Sequence, residues 1–379
     1  MPTSWDAVVV GAGVAGSVSA WRLARGGLRV LLVEKARWPR EKVCGGCVNA
    51  AAVRALTGLG LPEIATAGRG YSTMRLAIGR RQAVLPLPAG RAISRRHLDA
   101  LLVSRAVEAG ACFLPDTRAT LEAAQPDARS VSLRQGAQGM TVTARVVLDC
   151  AGLGSRLTSD SAGAESHIAP GAYIGLGATI AAEAPFYRPG VIHMACGRHG
   201  YVGLVRVEDN QLNIGAALDP EWTKRRGGPA AAIAHILQGA SFPRFDALRT
   251  THWHGTPRLT RERRRLGGER VLTLGDAAGY VEPFTGEGMA WALAGAAAIE
   301  PFARAAVGHW QDDLVERWTA RHVKLIRTRQ RTCRGISLLL RQQWLSATLL
   351  PLISAAPGLV SPVTAWLNHD FPLHAMADE

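Results

Sequence analysis

Lysine is scarce in this 379-residue sequence: only four of its 44 basic residues are lysine, and arginine supplies the rest. The formal charge of +14 is therefore mostly guanidinium. No basic motif interleaved with aromatics occurs, so a nucleic-acid partner is not expected. A basic surface of this kind suits NADPH, an acidic carrier protein or anionic lipid headgroups. Cysteine is also sparse. Six residues without framework spacing exclude a disulfide scaffold and point to a reducing compartment. Cys44 and Cys47 form one C-x-x-C, but no second pair completes a zinc site, so no metal is expected. The first buried strand is expected from residue 5 or 6, which leaves no room for a signal peptide, and the expected location is cytoplasmic. The apolar C-terminal stretch, 344–367, is broken by Pro351, Pro357 and Pro362, which argues against a membrane-spanning helix. There is no internal repeat and no low-complexity tract. The 47% apolar content and a mean hydropathy of +0.05 fit a globular enzyme with a substantial core.

What is present begins at the N-terminus. Residues 5–16 read as a buried strand, a glycine turn and a helix start, with Gly11, Gly13 and Gly16 in G-x-G-x-x-G spacing. Gly11 permits the tight turn and Gly13 lets backbone approach a pyrophosphate. Gly16 lets the helix lie close on the strand, with Ala15 between them at the helix N-terminus. The helix ends at Gly26-Gly27, and a second apolar strand, 29–33, runs into Glu34 and Lys35. An acidic side chain about twenty residues past the glycines is placed to accept hydrogen bonds from ribose hydroxyls. Together these features define a dinucleotide site. Gly175-Leu-Gly177 lacks the later glycine and the helix, so no second such unit is expected.

Further along, apolar periodicity predicts a helix over 49–59, strands over 71–78 and 82–87, a helix over 97–109 and a strand over 111–114. A hairpin over 130–133 and 141–148 ends at Asp149-Cys-Ala-Gly152. Alternating segments at 173–182, 191–195, 201–207 and 211–217 predict an antiparallel sheet with one face covered and the other available to a ligand. A helix over 230–238 is expected to pack on it. The strand 270–274 returns to the first unit and meets Gly275-Asp276, and the chain is mostly helical from 286 to 342. Arg317, Arg321, Lys324, Arg327, Arg331 and Arg334 make a basic stripe on one face of that helical stretch.

Three further motifs carry chemistry. In residues 275–289 a strand ending in Gly-Asp can offer Asp276 to a polyol chain, and Gly286 and Gly288 open a helix whose free N–H groups face an electron-rich group. Ser94-Arg95-Arg96 starts a helix with a guanidinium able to reach the cofactor, and Asp149–Gly152 is a strand-to-turn switch near the same nucleotide. In this order and at these intervals, over about residues 5–305, the four motifs resemble the FAD-dependent oxidoreductases of p-hydroxybenzoate hydroxylase fold. That superfamily includes aromatic monooxygenases, geranylgeranyl reductases and flavin-dependent halogenases.

The resemblance implies an α/β fold: a Rossmann-like FAD-binding domain (1–70, 94–165, 265–308) interleaved with an antiparallel β-sheet substrate domain (71–93, 166–264), plus a helical C-terminal extension (309–379). Gly11, Gly13, Gly16 and Glu34 would hold the adenosine diphosphate half of FAD, Arg95 the pyrophosphate, and Asp276 the ribityl chain. Gly286 to Met289 would lie under the isoalloxazine, with Cys44 and Gly45 near the ring and Gly152 near the nucleotide. A nicotinamide cofactor, NADH or NADPH, would bind only transiently as electron donor.

Within the superfamily, Glu282-Pro-Phe-Thr-Gly-Glu-Gly288 and Lys42-Val-Cys44-Gly-Gly look like the geranylgeranyl-reductase type. The Tyr-x-Trp-x-Phe-Pro motif of that type is degraded, with only Tyr201 surviving, and the halogenase Trp-x-Trp-x-Ile-Pro motif is missing. The favoured expectation is a monooxygenase acting through a flavin C4a-hydroperoxide on a mostly apolar aromatic or polyketide-like substrate, free or carrier-bound. The alternative is a flavin ene-reductase or dehydrogenase, ahead of a halogenase or a non-catalytic flavin-binding module. Glu287, Tyr201, His193 and Cys44 are the candidate catalytic groups, with His199 and Arg206 also on the middle sheet. The basic and apolar C-terminal helices allow a peripheral membrane contact.

Overall fold

A computed structural model describes residues 2–342 except 160, 283 and 285, together with 348–352, 355, 356, 358, 362, 365, 366 and 368–371. Its first sheet grows from the strand Ser4–Val10, whose side chains alternate between two cores. Ala7 and Val9 face the helices and Val8 and Val10 the opposite layer, with Trp5, at the strand's start, packing with the latter cluster. Ser4–Val10 pairs in parallel with Val30–Val33 on one side and with Gln138–Asp149 on the other. Cys112–Leu114 and Val271–Thr273 extend the parallel sheet at its two ends. An antiparallel meander, Arg118–Ala124, Arg129–Gln135 and Gln138–Asp149, covers the second face. The helices Val14–Arg25, Arg95–Glu108 and Gly288–Gly308 pack on the first. Parallel strands with buried faces read as continuous aliphatic runs, which is why Val30–Val33 is wholly buried.

The glycine turn sets how closely the first helix can lie. Gly11 has φ +107°, and a Cβ there would sit 2.3 Å from the carbonyl oxygen of Cys150. A Cβ on Gly16 would come within 1.9 Å of the Gly11 carbonyl oxygen. Only hydrogen fits at either position.

The second sheet runs in the order His254–Arg258, Ile174–Ile180, Leu212–Leu218, Gly200–Arg206, Val191–Gly197, Arg69–Ile78, Arg81–Ala92 and Cys47–Val48. It departs from the expected purely antiparallel pattern at one place, because Val191–Gly197 pairs in parallel with Arg69–Ile78. Those two strands are distant in sequence and meet in mid-sheet, so no local turn dictates their direction. One face is closed by the helix Pro229–Gly239, through Ile233, Ile236 and Leu237 against Val202, Leu204 and Ala195. The other face carries Ile192, Met194, Cys196, Val205 and Tyr201, with Phe284 and Cys47 at its border.

Beyond Gly288–Gly308 a rod is built from Leu314–His322, a widened π-helical segment Val323–Arg327 and Thr328–Arg341. Trp318 anchors it, fully buried, with its indole N–H donating to the Thr273 carbonyl at 2.9 Å. Of the basic stripe, Arg317, Lys324, Arg331 and Arg334 are exposed, and Arg321 and Arg327 are half-buried. Most of the apolar stretch 344–367 lies outside the described residues. Among those described, no helix is long and apolar enough to cross a membrane.

Gly16→Ala is expected to lower stability by about 1–3 kcal/mol, the usual cost of overpacking. The check is a thermal melt; an unchanged melting temperature would contradict the contact at Gly11.

Candidate FAD site

A cleft enclosing ≈ 740 Å³ of empty space, its open mouth included, runs between two helix starts. At one end, Val14–Arg25 begins after Gly13 with no side-chain cap, so its first N–H groups are free. Three cations converge on that turn. A Cβ built on Gly13 would lie 3.4 Å from Arg95 Nη2, 3.6 Å from Arg40 Nη2 and 3.9 Å from Lys42 Nζ. Free helix N–H groups with three convergent cations form a donor set for a diphosphate.

Carboxylates hold these cations in place. Arg95 is buried and forms a bidentate pair with Asp99, at 2.9 Å from Nε and 2.8 Å from Nη2. Burial works against its charge, but Asp99 outweighs that, and the pKa of Arg95 is raised above the ordinary arginine value. Arg40 Nη1 shares Asp99 at 3.0 Å, while its Nε meets Glu34 at 3.1 Å. Lys42 Nζ lies 3.1 Å from Asp276 Oδ2.

Glu34 is buried, and its carboxylate already accepts the N–H groups of Ala12 and Ala36 at 3.1 and 3.0 Å. Two backbone bonds and one guanidinium leave one of its roughly four lone-pair positions, enough for a ribose hydroxyl. Asp149 braces the neighbouring turn: it accepts from Ser155 Oγ at 2.7 Å and from the Ala151 N–H at 3.1 Å, and burial pushes its carboxyl up.

At the other end the 21-residue helix Gly288–Gly308 starts without a side-chain cap. Gly286, Gly288 and Met289 line this end with Gly275, Asp276 and Tyr280. The loop of Lys42, Val43, Cys44 and Gly45 forms the facing wall, with Gly152 and Cys150 between the two ends. Free N–H groups at a helix start suit an electron-rich ring edge. The donor set of the whole cleft thus fits a flavin dinucleotide: cations at the diphosphate end, Asp276 in the middle, and glycines and an open helix start at the ring end.

The structure brings Gly13, Ala15, Arg95, Cys44, Gly45, Gly152, Asp276, Gly286, Gly288 and Met289 into one cleft. Gly11, Gly16 and Glu34 shape the turn from behind. Lys35 is exposed and does not line the cleft.

Three of the four candidate catalytic groups lie elsewhere. His193 is on the closed face of the second sheet, buried among Phe186, Tyr187 and Phe242, with ring centroids 5.2–6.1 Å away. Burial lowers its pKa to about 4, so it is a neutral core histidine. The alternation of strand Val191–Gly197 sends Met194 one way and His193 the other. Glu287 is also fully buried and outside the cleft lining; its Oε2 accepts from the indole N–H of Trp291 at 3.1 Å, one turn on. Tyr201 is on the open face, edge-to-face with Phe284 at 5.2 Å, and does not line the cleft. Of the other two candidates, His199 stacks on Trp222, and Arg206 is buried against the carbonyls of Tyr187, Asn210 and Ala184.

Sequence reasoning missed Arg40 and Tyr280 altogether. Lys42 opens the Lys42-Val-Cys44-Gly-Gly run, but its chemistry shows only when Asp276 arrives from the far end of the chain.

A single long cleft with a diphosphate cradle at one end and an open helix start at the other defines a flavoprotein oxidoreductase site. A family described as an FAD binding domain matches residues 4–321, and the chain belongs to it, among the FAD-dependent oxidoreductases of the p-hydroxybenzoate hydroxylase and geranylgeranyl reductase superfamily. Digeranylgeranylglycerophospholipid reductase 1 of Methanopyrus kandleri is 30% identical over 325 residues, covering 78% of this chain and 80% of that protein. Among solved structures, PqsL, a probable FAD-dependent monooxygenase from Pseudomonas aeruginosa, has a TM-score of 0.72 at 19% identity, covering 92% of this chain and 100% of that one. A flavin-dependent brominase reaches 0.75 at 16% identity, covering 97% and 94%. At these identities the two structures establish the fold alone.

Two outcomes are expected here. Lys42→Met should weaken FAD binding by about tenfold or more, the scale of one charge-assisted hydrogen bond, read by flavin fluorescence in titrations of apoprotein. Glu287 has its pKa raised to about 7 by burial, against the opposing influence of Arg329 and Trp291. A carboxyl raised in the folded state contributes stability below its unfolded pKa and loses it as pH rises through the folded value. Glu287 therefore contributes a fall in stability between about pH 4.5 and 7, and that contribution should be missing from Glu287→Gln, read as a difference in slope between the two curves of melting temperature against pH. Equal slopes would mean the carboxyl is not buried as described.

Proposed function

We propose that this FAD-dependent oxidoreductase reduces carbon–carbon double bonds in a mostly apolar, prenyl-type substrate. The observation that carries this reading is its 30% identity, over about four-fifths of both chains, to a digeranylgeranylglycerophospholipid reductase. The local chemistry supports it. The Lys42-Val-Cys44-Gly-Gly segment forms one wall of the cleft, and the open face of the second sheet is aliphatic where it meets that wall at Cys47.

When bound, FAD supplies hydride exchange with a carbon of the substrate. Arg40, Arg95 and Lys42 would neutralise its diphosphate, Glu34 and Asp276 would orient its hydroxyls, and the start of Gly288–Gly308 would favour negative charge on the ring. Val43, Met289 and Ala292 keep water from the ring end, and the aliphatic sheet face holds the chain of the substrate. NADH or NADPH acts as transient electron donor, drawn by the basic surface. The outward arginines of the C-terminal rod favour approach to an anionic membrane surface or an acidic carrier that presents such a substrate.

A second reading, hydroxylation of an apolar aromatic or polyketide-like substrate, is favoured by one feature. The lipid-channel motif of the reductases is reduced here to Tyr201, so the pocket differs from theirs.

One experiment separates the two. Holoprotein reduced without oxygen is mixed with a digeranylgeranyl lipid and, separately, with an aromatic substrate, and the products are analysed by mass spectrometry. The reductase reading expects flavin reoxidation and gain of two hydrogens with oxygen excluded. Reoxidation only on admitting oxygen, with a product heavier by one oxygen atom from an aromatic substrate, would replace it with the hydroxylase reading.

A further inference from the structure

Tyr201, Glu282 and Arg341 arrive from three separate elements: the strand Gly200–Arg206, the segment after Gly279–Tyr280, and the end of Thr328–Arg341. Glu282 is 1% exposed. Its Oε2 accepts from Arg341 Nη2 at 2.8 Å, while its Oε1 is buried with no hydrogen-bond partner among the described residues. Arg341 donates from Nη1 to the Gly171 carbonyl at 3.0 Å, and its guanidinium carbon lies 3.8 Å from the ring centroid of Tyr173. Its Nε is buried and likewise without a partner among the described residues. The Tyr201 hydroxyl is the third such atom. Burial pushes this hydroxyl well above the ordinary tyrosine range, with Glu282 adding to the shift and Arg341 opposing it, so all three groups feel one another.

One acceptor, one donor and one hydroxyl able to do either are thus unused in the same buried neighbourhood. Buried polar groups in native proteins are paired, and a cluster of three unpaired ones calls for a partner. The surroundings define what kind. Tyr201 is edge-to-face with Phe284 and belongs to the open sheet face of Ile192, Met194 and Cys196. It also packs with Tyr173 and Tyr280, and Tyr280 lines the cleft. The unused atoms therefore sit at a polar spot within an apolar wall that adjoins the flavin end.

We propose that Tyr201, Glu282 and Arg341 form a binding site for a carbonyl or hydroxyl oxygen carried on an otherwise apolar ligand. A carbonyl accepts from the Tyr201 hydroxyl and from Arg341 Nε. A hydroxyl can in addition donate to Glu282 Oε1. A hydrocarbon of the same shape satisfies none of them and leaves three buried groups unpaired, which is the strongest form of discrimination a site can make. The proposal rests on the reading that this sheet face is the substrate side, and it names the chemical group recognised there. Tyr201 and Arg341 are binding residues in this account, and Glu282 both binds and positions Arg341.

The test uses oxidised holoprotein without electron donor, titrated with menadione and with methylnaphthalene, which share a fused-ring body and differ in the two carbonyls. Binding is followed by perturbation of the flavin absorbance. The unaltered protein should bind menadione at least about tenfold more tightly, the worth of one to two net hydrogen bonds. Tyr201→Phe should cut that preference to within about threefold while leaving the methylnaphthalene affinity unchanged, and Arg341→Met, which removes the other donor to a carbonyl, provides the same reading should the first variant lose FAD. Equal affinity for the two probes in the unaltered protein, or no binding of either, overturns the proposal and leaves the three atoms to ordered water. A preference that survives both substitutions overturns it as well. Since no turnover is read, a failed double-bond reduction leaves this result standing, and a failed preference leaves the reduction assay standing.

Discussion

Three cations packed around one glycine turn would repel one another strongly if nothing held them. Arg40, Arg95 and Lys42 stay together because Glu34, Asp99 and Asp276 each take a share of their charge. These carboxylates come from the end of the second strand, from within the helix Arg95–Glu108, and from the turn after Val271–Thr273. The charge network therefore ties together four regions of the chain, and the shape of the cleft depends on it. Removing one partner would leave another charge buried and uncompensated, which is far costlier than losing a surface ion pair. The same arrangement leaves positive charge facing the open turn, where a diphosphate completes the balance.

The second dependence is steric. The helix Val14–Arg25 can lie on the sheet only where Gly11 and Gly16 let two backbones touch, and the alanine-rich start of Gly288–Gly308 then packs against it. Two helix starts consequently look into one cleft from opposite ends. The second sheet meets the ring end of that cleft with its aliphatic face, while its aromatic and histidine-bearing face is sealed by Pro229–Gly239. The ring end is thus bounded mostly by backbone, sulfur and aliphatic groups, with Lys42, Asp276 and Tyr280 the polar side chains in its wall.

Elements with a strong local period were legible in the sequence. The strand–turn–helix at 4–25, the hairpin strands Arg129–Gln135 and Gln138–Asp149 and the helix Pro229–Gly239 differ from the expected spans by a few residues at most, because aliphatic runs and glycine stops mark them. Short strands such as Cys47–Val48, Arg261–Arg263 and Gly279–Tyr280 were not legible, since two or three residues carry no period. The parallel pairing of Val191–Gly197 with Arg69–Ile78 was equally hidden, because strand direction across more than a hundred residues leaves no local trace. The site divided in the same way. Backbone-defined members, Gly13, Gly286 and Gly288, were found by spacing, whereas the side-chain candidates His193 and Glu287 turned out to be packed away from the cleft.

By itself the sequence determined the dinucleotide turn, the alternation of parallel and antiparallel units, and the Gly-Asp and Gly-x-Gly turns at 275–288, because each rests on a few adjacent residues with a backbone requirement. Only the tertiary structure decided which charges meet and which faces look inward. A side chain on a strand can point either way until the register of its neighbours is set, and that register placed His193 in the core and Tyr201 on the open face. Likewise Lys42 and Asp276, 234 positions apart, became one ion pair only because the last strand of the parallel sheet returns beside the first turn.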